Sequence, residues 1–147
     1  MSDSGRSATE NGTTENAVTE NKVTDSAATD DLRGAVAGFF DIYGRALLAR
    51  DEAAVAQLYA VPSLILFPGQ SIAVSDARQT EEFFASNWEQ YEGVQEAIPD
   101  IRLLGVAPET VWADVTWTFG GSVREHFCYQ LVARDRGFQI AVLTLMG

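Results

Sequence analysis

The sequence predicts an α+β fold in which three N-terminal helices pack on one side of a curved antiparallel sheet. Apolar residues recur at helical spacing in three segments before Gly93. Four strand-like runs follow from Ile98 onward, separated by turns too short to hold a helix. Helices first and strands after is the order of an α+β chain, whereas a parallel α/β sheet needs the two to alternate. Composition then divides the 147 residues into a leader over 1–30 and one domain over 31–147, since a chain of this length carries one domain as a rule.

The leader has no Leu, Ile or aromatic residue, and all 15 aromatic residues lie at or beyond Phe39. It therefore lacks the apolar surface that would offset the entropy of ordering it. Thr9, Thr14, Thr19, Thr24 and Thr29 are each followed by an acidic residue, and three copies read TEN. A five-residue period builds neither a helix face nor a strand face, so the leader is expected to be a disordered, solvated tether. Asn11-Gly12-Thr13 fits a glycosylation acceptor, but no secretory signal accompanies it.

Helix one is expected from about Asp31 to Ala49, with Leu32, Val36, Phe39, Phe40, Tyr43 and Leu47 on one face. Asp51 suits the N-cap of a second helix that buries Val55, Leu58 and Tyr59 and ends at Pro62. Ser63–Phe67 reads as a short buried strand before the Pro68-Gly69 turn. Asp76 and Gln79 have capping-box spacing for helix three, which places Phe84, Trp88 and Tyr91 at i, i+4 and i+7 and stops at Gly93.

The meander comprises Ile98–Val106, Thr110–Phe119, Ser122–Ala133 and Phe138–Leu145. Alternation puts Val111, Ala113, Val115, Trp117 and Phe119 on one face of the second run, and Trp112, Asp114, Thr116 and Thr118 on the other. In the third, Glu125, Phe127 and Tyr129 share a face, and His126 and Cys128 share the opposite one.

Charge and metal-ligand counts exclude several functions. The formal charge is −11, with no basic stripe for a phosphate backbone, so no nucleic-acid partner is expected. One histidine and one cysteine, His126 and Cys128, are too few for an imidazole or thiolate metal site, so neither metal nor cofactor is expected. No run approaches the about 20 apolar residues of a membrane span. A cytoplasmic protein with no membrane partner is the expectation.

The order of elements over 31–147 resembles the nuclear transport factor 2-like fold (NTF2-like; SnoaL-like, ketosteroid isomerase-like). Tyr43 to Asp51, YGRALLARD, followed by Leu58-Tyr59, is the best local match. The resemblance implies a cone-shaped domain with an internal cavity. It does not imply one activity, because isomerases, cyclases, dehydratases and inactive proteins share this architecture.

Ketosteroid isomerases of this shape use a helix-one tyrosine, a carboxylate base just before a proline after strand one, and a second acid on a late strand. Tyr43, eight residues before Asp51, resembles that tyrosine. Phe67 stands immediately before Pro68, and a phenyl ring accepts no proton, so that mechanism is not expected. The second acid falls within Arg124–Tyr129, where Glu125 and Phe127 both remain open for the place.

Two function classes follow. The first is binding of a small apolar ligand in the cavity, lined by Tyr43, Tyr59, Phe67, Trp88 and Phe127, without isomerase-type catalysis. The second is an enzyme (isomerase, cyclase or hydrolase) on a small hydrophobic substrate, with Tyr43, Glu125 and His126 as catalytic candidates. Trp88 and Tyr91 are expected to plug the mouth of the cone or line its cavity. Each candidate has a plain structural reading too: Tyr43 as a core tyrosine, His126 as a surface or structural residue, Cys128 as a small filler, and Trp88 and Tyr91 as core packing. Trp112, with Thr116 and Thr118, would lie near the seam of a homodimer formed through the outer sheet face, which the resemblance also implies.

Overall fold

The computed structural model describes residues 15–121 and 124–147, with side chains from residue 29 onward. The chain divides into a unit over 1–35 and a unit over 36–147. Among the described residues the elements are α1 (Glu15–Leu48), α2 (Glu52–Gln57), β1 (Tyr59–Phe67), β2 (Gln70–Val74), α3 (Ala77–Ala85), a 3₁₀ turn (Trp88–Tyr91), β3 (Ile98–Ala107), β4 (Thr110–Thr118), β5 (Arg124–Arg134) and β6 (Gly137–Leu145). The class is α+β.

Helix α1 starts at Glu15, well ahead of the expected start near Asp31. Nothing between Glu15 and Arg33 breaks a helix: the stretch has no Gly or Pro, and Ala17, Glu20, Lys22, Ala27 and Ala28 are good helix formers. The missing apolar face removes a reason to pack, not the capacity for i→i−4 bonding. The disordered-tether expectation for residues 1–14 falls outside the described residues.

In the 36–147 unit, Val36, Phe39, Phe40, Tyr43 and Leu47 are buried, the face that helical spacing predicts. A Schellman pattern closes α1: the Asp51 amide bonds the Ala46 carbonyl at 3.2 Å and the Arg50 amide bonds the Leu47 carbonyl at 3.0 Å. Arg50 fills the left-handed position with φ +52°, which usually falls to glycine. Its guanidinium donates to the Leu48 carbonyl at 2.9 Å and to the Tyr91 carbonyl. Asp51 then caps α2, accepting from the Ala54 amide at 3.0 Å.

Helix α2 ends at Gln57, not at Pro62, and the strand expected at Ser63 begins at Tyr59. Pro62 lies inside β1, where the pairing with β6 shifts between Tyr59 and Leu64. A residue without an N–H is tolerated at such an interruption of the ladder. Strand β2, absent from the expected elements, pairs with β1 through the turn at Gly69 (φ +75°).

The sheet order is β2-β1-β6-β5-β4-β3. Its β3–β6 meander is antiparallel, but β1 and β6 run parallel, with Leu64 opposite Val142 and Ile65 opposite Leu143. The sheet is therefore mixed, which corrects the all-antiparallel expectation. Between β2 at one edge and β3 at the other the chain passes through α3. Four alternating strands then return it to β1 pointing in β1's own direction.

The capping box of α3 forms as its spacing predicts: Asp76 accepts from the Arg78 amide at 2.8 Å, and Gln79 accepts from the Asp76 amide at 3.0 Å. The helix ends at Ala85, so Trp88 and Tyr91 belong to the 3₁₀ turn and do not continue its face. Every odd residue from Val111 to Phe119 is buried, which makes that side of β4 the inner face. There Trp117 stacks on Tyr43 with ring centroids 5.9 Å apart, and Phe40 meets Tyr129 at 4.8 Å. Gly44 lets α1 come this close, because a Cβ at that position would stand 3.3 Å from the Trp117 ring.

Candidate functional site

A cavity of about 100 Å³ opens on the inner face of the sheet. Helix α1 supplies Tyr43 and Leu47, α3 and the residues after it supply Phe83, Asn87 and Tyr91, and the strands supply Phe67, Trp117 and Glu125 among others. Nine of its 14 lining residues are aromatic, so the walls are mostly rings with few polar groups between them.

The alternation of β5 decides which acid faces inward. Glu125 stands opposite Trp117, and Phe127 opposite Val115; both partners are buried on the inner face. Glu125 and Phe127 accordingly both line the cavity, while His126 points to the outer face opposite Thr116. There the His126 Nε2 lies 2.8 Å from Asp114 Oδ1, with the exposed Arg102 at 3.8 Å from the other carboxylate oxygen. His126 is therefore not a cavity residue.

The Tyr91 hydroxyl donates to Glu125 Oε1 at 3.1 Å. Burial pushes the Glu125 carboxyl above the usual carboxylate range, and the bond from Tyr91 offsets only part of that rise. Burial likewise raises the phenols of Tyr43, Tyr59, Tyr91 and Tyr129 well above their ordinary value. All four are neutral hydrogen-bonding groups at physiological pH.

The hydroxyls of Tyr43 and Tyr59 are 2.7 Å apart. Tyr59 does not line the cavity; it sits fully buried behind Tyr43. When Tyr59 is the donor of this pair, Tyr43 keeps its own O–H for a ligand. Trp117 Nε1 donates to the Tyr129 hydroxyl at 2.8 Å and leaves that phenol's proton free in the same way.

Trp88 also stands apart from the cavity. The 3₁₀ turn directs its Nε1 to Glu52 of α2 at 2.9 Å, so it joins two helical segments. Phe67 does line the cavity, with its ring 5.5 Å from Phe83 and 6.1 Å from Phe127. Tyr91 lines the cavity, one of the two places open to it, whereas Asn87, Trp117 and Tyr129 are lining residues outside the expected set. The inward face of Val111–Phe119 carries a signal for Trp117, and the two aromatics beside Glu125 carry one for Tyr129.

Among the described residues no group of three or more His, Cys, Asp or Glu side chains is placed to hold a metal ion. Cys128, half-buried on the outer face, has its thiol pushed up by burial and by nearby Asp114. Such a thiol is a poor nucleophile.

The architecture matches solved structures. A structure of an NTF-2 like protein of unknown function from Shewanella oneidensis superposes with a TM-score of 0.63 at 13% identity, over 77% of this chain and 97% of that one. An NTF2-like protein from Cytophaga hutchinsonii gives 0.59 at 10% identity, over 78% and 97%. The fold is NTF2-like. A domain of unknown function with a cystatin-like fold from Nostoc punctiforme gives 0.58 at 12% identity, over 78% of this chain and 75% of that one. No protein-family model matches the sequence, and no curated protein matches it. Identities this low carry the NTF2-like fold and no activity. Among the described residues no helix is long and apolar enough to cross a membrane.

Proposed function

We propose that the 36–147 unit of this NTF2-like chain holds a small, largely apolar molecule in the cavity of its cone, without isomerase-type catalysis. The observation that carries this reading is Phe67. It forms cavity wall at the position before Pro68, where the resemblance to ketosteroid isomerases calls for a proton-accepting carboxylate. The volume of about 100 Å³ is well below the ~300–1,000 Å³ of sites for drug-sized ligands, so the ligand has about one ring or a few heavy atoms. Native mass spectrometry of the purified full-length protein tests this. The expected spectrum contains a small adduct released on collisional activation, or one formed when a small aromatic such as phenol is added. A protein that takes up neither would remove the reading.

One observation favours a second reading, an enzyme acting on a small hydrophobic substrate. The Glu125 carboxyl, with its raised pKa, and the Tyr43 hydroxyl face one cavity, and an acid tuned upward suits proton transfer near neutral pH. Glu125→Gln separates the two readings: a binding protein still takes up a neutral probe such as phenol, and an enzyme loses turnover by two or more orders of magnitude.

We take the protein as a cytoplasmic homodimer paired through the outer sheet face, where Trp112 is 39% exposed beside Asp114, Thr116 and Thr118. A large exposed aromatic on a sheet supports an interface there. Trp112→Glu is expected to elute as a monomer in size exclusion; a variant that stays dimeric would move the interface elsewhere.

A further inference from the structure

Glu125 is the one carboxyl group among the described residues that line the cavity, and none of those residues is Lys, Arg or His. The cation at the nearby turn, Arg50, spends its guanidinium on the Leu48 and Tyr91 carbonyls. A half-buried carboxylate without a counter-charge is unfavourable, and only a proton or an arriving cation relieves it. The hydroxyl of Tyr91 supports the ionised form but adds no charge.

The walls around that carboxylate favour the cation. Tyr43, Trp117 and Phe119 form a tilted stack, with Trp117 and Phe119 only 5° from parallel and Tyr43 29° from Trp117. The face of an aromatic ring carries the negative part of its quadrupole and attracts a cation within about 6 Å of the centroid. An anionic ligand would meet the Glu125 carboxylate, which repels it, with no positive group among the described lining residues. A neutral apolar ligand would displace water from Glu125 and leave it unpaired.

We propose that this cavity takes a small organic cation, an alkylated ammonium held against ring faces with Glu125 as its counter-ion. The assignment rests on the ligand-binding reading above and adds the ligand's charge to it. A volume of about 100 Å³ limits the ligand to a group of trimethylammonium size with a short tail. Asn87 and Gln90 are the lining amides, and Gln90 is exposed, so a polar tail would leave on that side.

The test is calorimetric titration of the full-length protein with choline and, separately, with 3,3-dimethylbutan-1-ol, its uncharged carbon isostere. Choline is expected to bind about tenfold tighter or better at pH 7.5. That preference is expected to fall several-fold in Glu125→Gln, to the share that attraction to the aromatic rings alone supplies. It also falls in the unaltered protein as acid neutralises the carboxyl. Equal affinity for both ligands would overturn the cation assignment and leave the ligand-binding reading standing. Binding of neither, nor of phenol, would remove both. A choline preference undiminished in Glu125→Gln would also overturn the assignment, because Glu125 would then not be the counter-ion. Should that variant fail to fold, the ratio in the unaltered protein and its loss in acid decide the matter.

Discussion

Glu125 and His126 are neighbours in sequence, and β5 sends them into opposite environments. On the outer face His126 meets the Asp114 carboxylate at 2.8 Å, with the Arg102 guanidinium 3.8 Å from the other carboxylate oxygen. On the inner face Glu125 meets a phenol hydroxyl and aromatic rings. The outer group is matched within the chain and needs nothing more, which is the pattern of a structural contact. The inner group has the Tyr91 hydroxyl as its hydrogen-bond partner and no counter-charge among the described lining residues.

The same contrast holds for the two tryptophans of β4, and breaking them should give the largest difference between the faces. Trp117 is 1% exposed, stacks on Tyr43 and donates to Tyr129. Trp117→Ala is expected to destabilise the unit by about 3–5 kcal/mol, the usual range for removing a buried large aromatic. Trp112→Ala, on the outer face, is expected to cost under about 1 kcal/mol in the stability of the folded subunit. Urea denaturation monitored by circular dichroism measures both. Equal costs would mean that the outer face is as tightly packed as the inner one.

A smaller effect sharpens the contrast between the two titratable groups. The Glu125 carboxyl is raised in the folded protein relative to the unfolded chain, so folding prefers its protonated form. That preference is fully satisfied below the ordinary glutamate pKa and is lost as pH rises through the raised value. Glu125→Gln removes the loss. The variant is expected to match the unaltered protein near pH 4 and to melt a few degrees higher at pH 8. His126→Gln should change stability by less than about 1 kcal/mol, because its partly exposed contact with Asp114 contributes little and the amide can replace it. A Glu125→Gln protein that is less stable at pH 8 would show that the bond from Tyr91 outweighs burial.

Much of this arrangement is legible before any coordinates. The inward face of β4 follows from period-two alternation, the caps at Asp51 and Asp76 from residue type and spacing, and the missing base from Phe67 alone. Alternation also groups Glu125 with Phe127 and Tyr129, but it does not say which face is inner. That needs the cross-strand register that sets Glu125 opposite Trp117. The bond between Tyr91 and Glu125 joins residues 34 apart and has no local signature. Trp88 misleads because the helical period of apolar residues continues in the sequence past Ser86, where the helix gives way to a tighter turn. Strand β2 escapes because Gln70–Val74 is short and lies at the sheet edge, with little of the alternation that marks a half-buried strand.

The smallest expected effect concerns the two units. Every residue of the described hydrophobic core lies at or beyond Val36, and α1 from Val36 to Leu48 keeps the buried face that meets the sheet. Helix between Glu15 and Ala35 adds backbone hydrogen bonds, but isolated helical turns are marginal in water and most helical stability comes from packing an apolar face. Deleting residues 1–30 is therefore expected to leave the melting temperature within error, as read by differential scanning calorimetry. The mean-residue helical signal should fall only by the share those residues hold. A drop of several degrees would show that the first unit contributes to the stability of the second, and the inner face would then no longer be the sole source of its stability.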